Sequence, residues 1–243
     1  YRSLYDTTIE LFGDFSPYEA AIKKGLQYLK YYFPSYHAPN KIITYIGPLD
    51  GYGDILSEQA FIIGLQHHLG KNASFYQSTW LQETYPKYLT DRFGPEYITI
   101  NCMKNLVLDI YPEKTESSSL VNQMIAGGIR MYLLQQLLPE TEEYLLIGYT
   151  DEQMKACYNN EKTIWNLFTQ NNLLQNVDYS IIKNYIGESP KTQELGEESP
   201  GNIGTFAGWQ IVKKYMSKYP KTSPAQLISL STETILEKAK YKP

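Results

Sequence analysis

Hydrophobic and polar positions near the start of the chain change from helical spacing to an extended, β-branched pattern. A helix start is signalled at residues 16–19, where serine stands at the cap, proline at the first helical position and glutamate three residues after the serine. The helix is expected to run to about Tyr32. The β-branched run at 41–47 predicts a strand and is followed by a turn at 48–53. The segment 55–70 predicts a second strand that leads into a short helical turn.

The rest of the chain has the apolar spacing of helices. The clearest helix is SSSLVNQMIAGGIRMYLLQQLLP, residues 117–139, where serines offer a cap and a proline ends the pattern. A loop is expected at 186–200. Because strands are confined to the start, the pattern predicts one α+β domain over residues 1–243, mostly helical with a small early sheet. The other predicted helices are two short pieces within 80–97, interrupted at Pro86 and at Gly94-Pro95, followed by 98–111, 151–171, a lysine-rich helix within 197–219, and 223–239.

The segment EESPGNIGTFAGWQIVKKYMSKY, residues 197–219, combines glycines with lysines in a way that suggests a phosphate loop. A Walker loop needs GxxxxGK followed by serine or threonine, and a dinucleotide loop needs GxGxxG; neither is present. On a helical wheel Gly204 and Gly208 share a face with apolar residues, whereas the lysines, Lys213 among them, lie opposite. Each helical glycine costs about 1 kcal/mol relative to alanine. Close packing against a neighbouring helix is therefore the predicted role of these glycines.

The composition of the chain excludes some classes of function and favours others. The 243 residues carry a net charge of −4, which provides no general attraction to nucleic acid or anionic lipid. Apolar runs stay below the roughly 18 to 20 residues that a membrane span requires. The first residue, Tyr1, is expected to be a trimmed end rather than a natural start. Tyrosine is abundant, with 23 copies, and suits half-buried recognition surfaces.

Candidate catalytic and metal-binding residues are few. Cys102 and Cys157 have no zinc-type spacing; two buried free thiols are expected, and a single disulfide stays open. The histidines are His37, His67 and His68, with no HExxH pair, and partial exposure without a ligand role is expected for all three. No GxSxG elbow accompanies the serines. The acidic pair at 197–198 is expected to lie in a solvated loop.

Several stretches together resemble the gliding-motility lipoprotein GldB family. The resemblance implies a cell-envelope lipoprotein of gliding bacteria and their non-gliding relatives, anchored by lipid on an N-terminal cysteine that precedes the present sequence. It also implies the periplasmic face of a membrane, with the outer membrane expected. The stretches are IIGLQHHLG (62–70), NQMIAGGIRMYLLQQLLP (122–139), IGYTDEQMKACYNNEKTIW (147–165), ESPGNIGTFAGWQIVKKYM (198–216) and AKYKP (239–243).

The GldB family is in turn similar to zincin-type peptidases, which implies a zincin-like helical core. In those enzymes an HExxH helix supplies two zinc ligands and the general base, and the next helix supplies a glutamate ligand. By this resemblance, Asn101 and Asn105 stand in place of the histidines, Cys102 in place of the base and Gly127 in place of the ligand glutamate. Amides are poor zinc ligands and glycine has no side chain, so the zinc-bound water would be lost.

The resulting hypothesis is a non-catalytic lipoprotein without a metal or cofactor, acting as a structural or assembly component of a membrane-associated complex. Its expected partners are envelope or membrane-associated proteins, and nucleic acid is not among them. A former peptidase cleft is expected to survive as a binding groove. Its predicted lining is Asn101, Cys102, Asn105, Gly127, Pro200, Gly201 and Gly204.

Two other function classes stay open at this stage. A metal-dependent hydrolase or peptidase with a rearranged site would use His67, His68 or the acidic pair Glu197-Glu198. A glycan- or peptide-binding envelope protein would present exposed tyrosines as an aromatic platform. A bound metal or a labelled nucleophile would favour the first, and an exposed aromatic surface the second.

Overall fold

The computed structural model describes residues 2–113 and 118–243 and divides into two compact units. The first unit ends at Asp109 and the second begins at Ile110. Helix predominates, and the described strands all lie in the first unit, in agreement with the predicted mostly helical α+β class. The single domain predicted over residues 1–243 and the zincin-like core stay predictions.

The first unit is built around a three-stranded sheet with the order β1-β3-β2. The central strand β3 pairs in parallel with β1 and antiparallel with β2. Its sequence, AFIIG, is almost entirely buried, as expected of a strand with neighbours on both edges. The elements are α1 (Arg2–Phe12), α2 (Ser16–Tyr32), β1 (Lys41–Tyr45), β2 (Ile55–Leu56), β3 (Ala60–Gly64), α3 (Thr79–Thr84), α4 (Lys87–Thr90) and α5 (Tyr97–Ile110).

Short sequence patterns within each segment predicted most of these helices and strands. The predicted helix from Ser16 to Tyr32 is confirmed, but Ser16 is its first helical residue instead of its cap, and the Ser16 N–H donates to the Asp14 carboxylate at 2.9 Å. The segment 55–70 contains two strands where one was expected. They are separated by a turn in which the Ser57 hydroxyl accepts a hydrogen bond from the Ala60 N–H. Helix α1 was not predicted.

The second unit is all helical where it is described. Its core is the pair α6 and α11, which pack together more extensively than any other two described elements, and α13 packs against both. The helices are α6 (Leu120–Leu137), α7 (Glu143–Ile147), α8 (Asp151–Asn159), α9 (Glu161–Gln170), α10 (Tyr179–Ile182), α11 (Ile203–Lys218), α12 (Pro224–Leu227) and α13 (Thr232–Ala239).

Glycines bring α6 and α11 into backbone contact. A Cβ added to Gly208 would lie 1.7 Å from the Met124 carbonyl oxygen, and one added to Gly128 would lie 2.3 Å from the Gly208 backbone. Real side chains do not tolerate such distances, so the two backbones touch where these glycines face each other. The packing role predicted for the glycines of the lysine-rich helix is therefore confirmed at Gly208.

The one-sided wheel predicted for the lysine-rich helix is confirmed at Lys214 and Lys218, which are exposed, but it is wrong for the first part of the helix and for Lys213. Residues 203–212 of α11 are buried all round because the helix lies at the centre of its unit. Lys213, expected in solvent, is largely buried. Its Nζ donates to Glu143 and to the Tyr158 hydroxyl, and it lies 4.1 Å from the centre of the Trp209 ring.

Other predicted boundaries shift in the second unit. The segment 151–171 forms two helices that break at Asn160, and 223–239 also forms two. The predicted start of the 117–139 helix falls at Ser117, outside the described residues, and the helix is seen from Leu120. The expected loop at 186–200 contains a short 3-10 helix, and the short helices α7 and α10 were not predicted.

Candidate functional site

A buried ion pair between Asp54 and His68 lies at one edge of the sheet in the first unit. Asp54 directly precedes β2, and His68 follows the 3-10 helix that continues from β3. The His68 Nε2 lies 2.9 Å from Asp54 Oδ2, and the two side chains are 1% and 5% exposed. The antiparallel pairing of β2 with β3 brings these two residues together across a sequence separation of 14.

Both ring nitrogens of His68 face oxygen atoms. The Nδ1 lies 3.1 Å from the Gly94 carbonyl oxygen, while Nε2 faces the Asp54 carboxylate. Carbonyl and carboxylate oxygens only accept hydrogen bonds, so only the doubly protonated imidazolium donates to both. The two side chains thus form a buried hydrogen-bonded pair with ion-pair geometry, in which each depends on the other.

Three of the predicted site residues lie on α5 next to the Asp54–His68 pair. On α5, the Asn101 amide donates to Asp54 Oδ2 at 2.8 Å, and the Asn105 amide donates to the Asp54 backbone oxygen at 3.2 Å. Cys102 is buried, and burial together with the nearby Asp54 charge raises the pKa of its thiol above the ordinary range. Asn101 and Asn105 therefore hold Asp54 from the helix, and Cys102 is a poor nucleophile.

Sequence reasoning missed Asp54, the centre of this cluster. Besides His68 and Asn101, its carboxylate accepts a hydrogen bond from the Gly64 N–H at 3.2 Å. The available signal was a single carboxylate at the end of the glycine-rich turn GPLDGYGD, immediately before a β-branched segment. Carboxylates in such turns are common, and the pairing partner is not visible in the sequence.

The loop at 47–54 is held in place by two hydrogen bonds with the side chain of Gln66, which is fully buried. Its side-chain oxygen accepts from the Gly47 N–H at 3.0 Å, and its amide donates to the Tyr52 carbonyl at 2.9 Å. Two further anchors come from the next two residues of the chain, His67 and His68. The loop is held at its beginning, middle and end by three consecutive side chains.

His67 is the middle anchor. Its Nε2 lies 2.8 Å from the Leu49 carbonyl oxygen, and its ring stacks on Phe93 with centroids 4.7 Å apart. The partial exposure expected for His67 and His68 is wrong, because the chain runs from the central strand directly beneath the loop. Only His37 is exposed among the three.

Acid should destabilise the protein through His67. Burial lowers the pKa of His67 below its ordinary value near 6.5. As the pH falls below about 6.5, the unfolded chain therefore binds a proton at His67 more readily than the folded chain does. The free energy of unfolding decreases accordingly. We expect His67→Gln, whose amide can still donate to Leu49, to lower the slope of unfolding free energy against pH by up to about 1.4 kcal/mol per pH unit.

Urea titrations at closely spaced pH values between 5 and 7 measure this slope. The exposed His37→Gln variant is the control. Equal slopes for His67→Gln and the wild type would show that His67 is protonated alike in the folded and unfolded states, contrary to the expectation.

The remaining predicted site residues belong to the second unit. A Cβ on Gly127 would lie 3.0 Å from the Thr205 Oγ1, so α11 fills the space beside it. On α11, the Gly204 N–H donates to the Tyr185 carbonyl at 2.8 Å. Gly127 and Gly204 both serve the packing around the α6–α11 crossing.

Pro200 and Gly201 form the entry to α11. The Pro200 carbonyl accepts from the Thr192 hydroxyl at 2.8 Å, and the Gly201 carbonyl accepts from the buried Tyr149 hydroxyl at the same distance. A Cβ on Gly201 would lie 1.9 Å from the Ser189 carbonyl oxygen. This segment is fixed by backbone contacts that only glycine permits.

A cavity of about 260 Å³ lies beside Pro200 and is lined also by Ser199, Asn160 and Cys157. Burial raises the pKa of the Cys157 thiol to about 12. Glu198 borders the same cavity, and the neighbouring Glu197 pairs with Lys191. Both glutamates are exposed, as expected of a solvated loop.

The described residues contain no group of three histidine, cysteine or acidic side chains placed to hold a metal ion. Both cysteines are free thiols, as expected, and both are buried. Thiol reactivity offers a direct check of this arrangement.

Neither thiol should react with Ellman's reagent at pH 8 while the protein is folded. Reaction requires exposure and ionisation, which burial suppresses at both Cys102 and Cys157. In 6 M guanidinium chloride the reagent should titrate two thiols. Rapid reaction of the folded protein, or fewer than two thiols in the unfolded one, would contradict the free and buried state.

Comparison with known proteins identifies the family of the chain. The family model described as Gliding motility protein GldB matches residues 1–243. The chain belongs to the GldB family. No curated protein and no solved structure gives a significant match. GldB-family proteins are gliding-motility lipoproteins, which indicates a location in the cell envelope.

In this GldB-family chain, none of the helices within residues 2–113 and 118–243 is long and apolar enough to cross a membrane.

Segments that carry the GldB resemblance form the sites described above. IIGLQHHLG supplies part of β3 and the three loop anchors, and NQMIAGGIRMYLLQQLLP forms most of α6 with its packed glycines. In the terminal segment, the Tyr241 hydroxyl donates to Glu161 at 2.5 Å.

Proposed function

We propose that this GldB-family protein is a non-catalytic lipoprotein of the cell envelope. In this proposal it is anchored by lipid on the periplasmic side of the outer membrane and acts as a structural or assembly partner of a membrane-associated complex. The proposal combines the family membership with the chemistry of one site in the first unit.

The observation that carries the proposal is the closed hydrogen-bond network around Asp54. Asn101 and Asn105, which the peptidase resemblance places at two ligand positions, direct their amide groups to Asp54. His68 directs both ring nitrogens to protein oxygens. Groups engaged in this way hold a loop in place, whereas a catalytic zinc site needs three ligands around an open position.

Elemental analysis tests the proposal first. The purified protein is incubated with excess zinc, passed through a gel-filtration column and analysed for bound metal. Less than about a tenth of an equivalent of zinc is expected, because amides are poor ligands. About one equivalent would overturn the assignment of Asn101, Asn105 and Gly127 to a lost zinc site.

A genetic test addresses the structural role. In a gliding host that lacks its own copy, the Asn101→Asp variant replaces the amide donor to Asp54 with a second carboxylate, and the wild-type gene is the reference. A non-catalytic role predicts that motility follows the amount of folded protein in the membrane fraction. Loss of motility at a normal protein level for Asn101→Asp would count against it.

One observation favours a second candidate, a hydrolase with a rearranged site. The Asp54–His68 pair joins an acid and a base in one buried cluster, as catalytic dyads do. Screening the wild-type protein with fluorogenic peptide, ester and phosphate substrates separates the two candidates.

A glycan- or peptide-binding role is supported only by exposed aromatic side chains. Tyr31, Tyr52 and Tyr179 are among the most exposed. The binding groove expected along Asn101, Cys102, Asn105, Gly127, Pro200, Gly201 and Gly204 draws residues from both units and stays a prediction.

A further inference from the structure

A cavity of about 290 Å³ lies within the second unit, between one face of α6 and the first turn of α13. Its volume is near the lower end of the range for small-molecule sites. Asn122, Ala126 and Arg130 line it from α6 and are spaced four residues apart, so they share one helix face. The short side chain of Ala126 leaves room between the two polar residues.

Arg130 provides a cation at one end of this cavity. Its side chain is 16% exposed, and its Nη2 lies 3.5 Å from Glu113 Oε1, whose side chain is 70% exposed. Burial lowers the pKa of Arg130, a sign that its charge is poorly solvated. A guanidinium has five N–H donors in a planar fork, and within residues 2–113 and 118–243 the long contact with Glu113 uses little of this capacity. The geometry suits a carboxylate that approaches through the cavity.

Carboxylate groups border the same cavity. Glu233, in the first turn of α13, accepts a hydrogen bond from the Asn122 amide at 2.8 Å. Hydrogen bonds from its own backbone and from Ser231 lower the pKa of Glu233, so it remains ionised. With Glu113, the described lining of the cavity has two anions against one cation, which disfavours a phosphate dianion and favours a ligand that brings an ammonium group.

We propose that this cavity binds a small zwitterion, either a free amino acid or a short peptide with free ends. The ligand carboxylate pairs with Arg130, and the ligand ammonium lies beside Glu233. The side chains of Gln123 and Thr232 also line the cavity and offer hydrogen-bonding groups to a peptide backbone. This site would give the protein a ligand whether or not the non-catalytic role proposed above holds.

Titrations of the ¹⁵N-labelled protein with alanine, dialanine and trialanine test the proposal. Each peptide is also used in an N-acetylated and a C-amidated form. Saturable chemical-shift changes at residues around Arg130 and Glu233 are expected with the free forms, and binding is expected to weaken about 10- to 100-fold when either end is blocked. Preference for alanine over the peptides identifies a free amino acid as the ligand class, and the reverse identifies a peptide.

Variants assign each end of the ligand. Arg130→Gln should remove the preference for a free carboxylate, and Glu233→Gln, which can still accept from Asn122, should remove the preference for a free amine. Lys155→Gln, at an exposed ion pair on α8, is the control and should bind as the wild type does. Absence of saturable shifts up to millimolar ligand, or equal binding of free and blocked forms to the wild type, would overturn the proposal even if a variant fails to fold.

Discussion

Gly208→Ala should destabilise the protein by about 3 kcal/mol or more. The new methyl group would lie 1.7 Å from the Met124 carbonyl oxygen and 2.2 Å from its carbon. These are backbone atoms, so relief requires α6 and α11 to move apart along the main contact of the second unit. Overpacking of this kind usually costs 1 to 3 kcal/mol, and a backbone clash falls at the upper end or beyond. The gain of about 1 kcal/mol in helix propensity is too small to offset it.

Urea denaturation followed by circular dichroism measures the effect. Gly25→Ala on α2 is a matched control, because the atom nearest to its added methyl is the sulfur of the flexible Met103 side chain, at 2.7 Å. That variant should stay within about 1 kcal/mol of the wild type. If Gly208→Ala were as stable as Gly25→Ala, the close crossing of α6 and α11 would be incorrect.

Asp54→Asn should cost about 3 to 5 kcal/mol. The substitution removes the carboxylate that faces the buried His68 ring, and breaking a buried pair by removing one partner is strongly destabilising. The matched control is Asp91→Asn, which breaks an exposed pair with Lys87. Exposed pairs of this kind contribute at most about 1 kcal/mol.

A double-mutant cycle with His68→Gln separates the pair from its surroundings. If the two charges depend on each other, the double variant should be less destabilised than the sum of the single variants by at least about 1 kcal/mol. Additive losses would mean that the two side chains contribute independently, and the ion pair would then not be the organising contact of the 47–54 loop.

Sequence reasoning succeeded where the signal was local. The helix from Ser16 to Tyr32 and the strand at 41–47 follow from turn, cap and β-branched residues within each segment. The packing role of Gly208 was also predicted from a helical wheel. Its partner, Gly128, was not, because the choice of neighbouring helix depends on the fold of the whole unit.

The candidate site was predicted only in part for the same reason. Asn101 and Asn105 were singled out by family resemblance, but the residue that they contact, Asp54, lies 47 and 51 positions away. Lys213 shows a similar failure. A lysine normally lies in solvent, and here its partner Glu143, 70 residues away, makes burial tolerable. In both cases the two residues in contact lie too far apart in the chain for a short window of sequence to contain them together.

The three anchors of the 47–54 loop also have a consequence for evolution. Surface loops normally accept insertions and deletions at small cost. Here Gln66, His67 and His68 fix the loop at Gly47, Leu49, Tyr52 and Asp54, so one added residue would misalign several hydrogen bonds at once. The length of this loop should therefore be as constant among relatives as the length of a core strand, even where its exposed side chains, such as Tyr52, diverge freely.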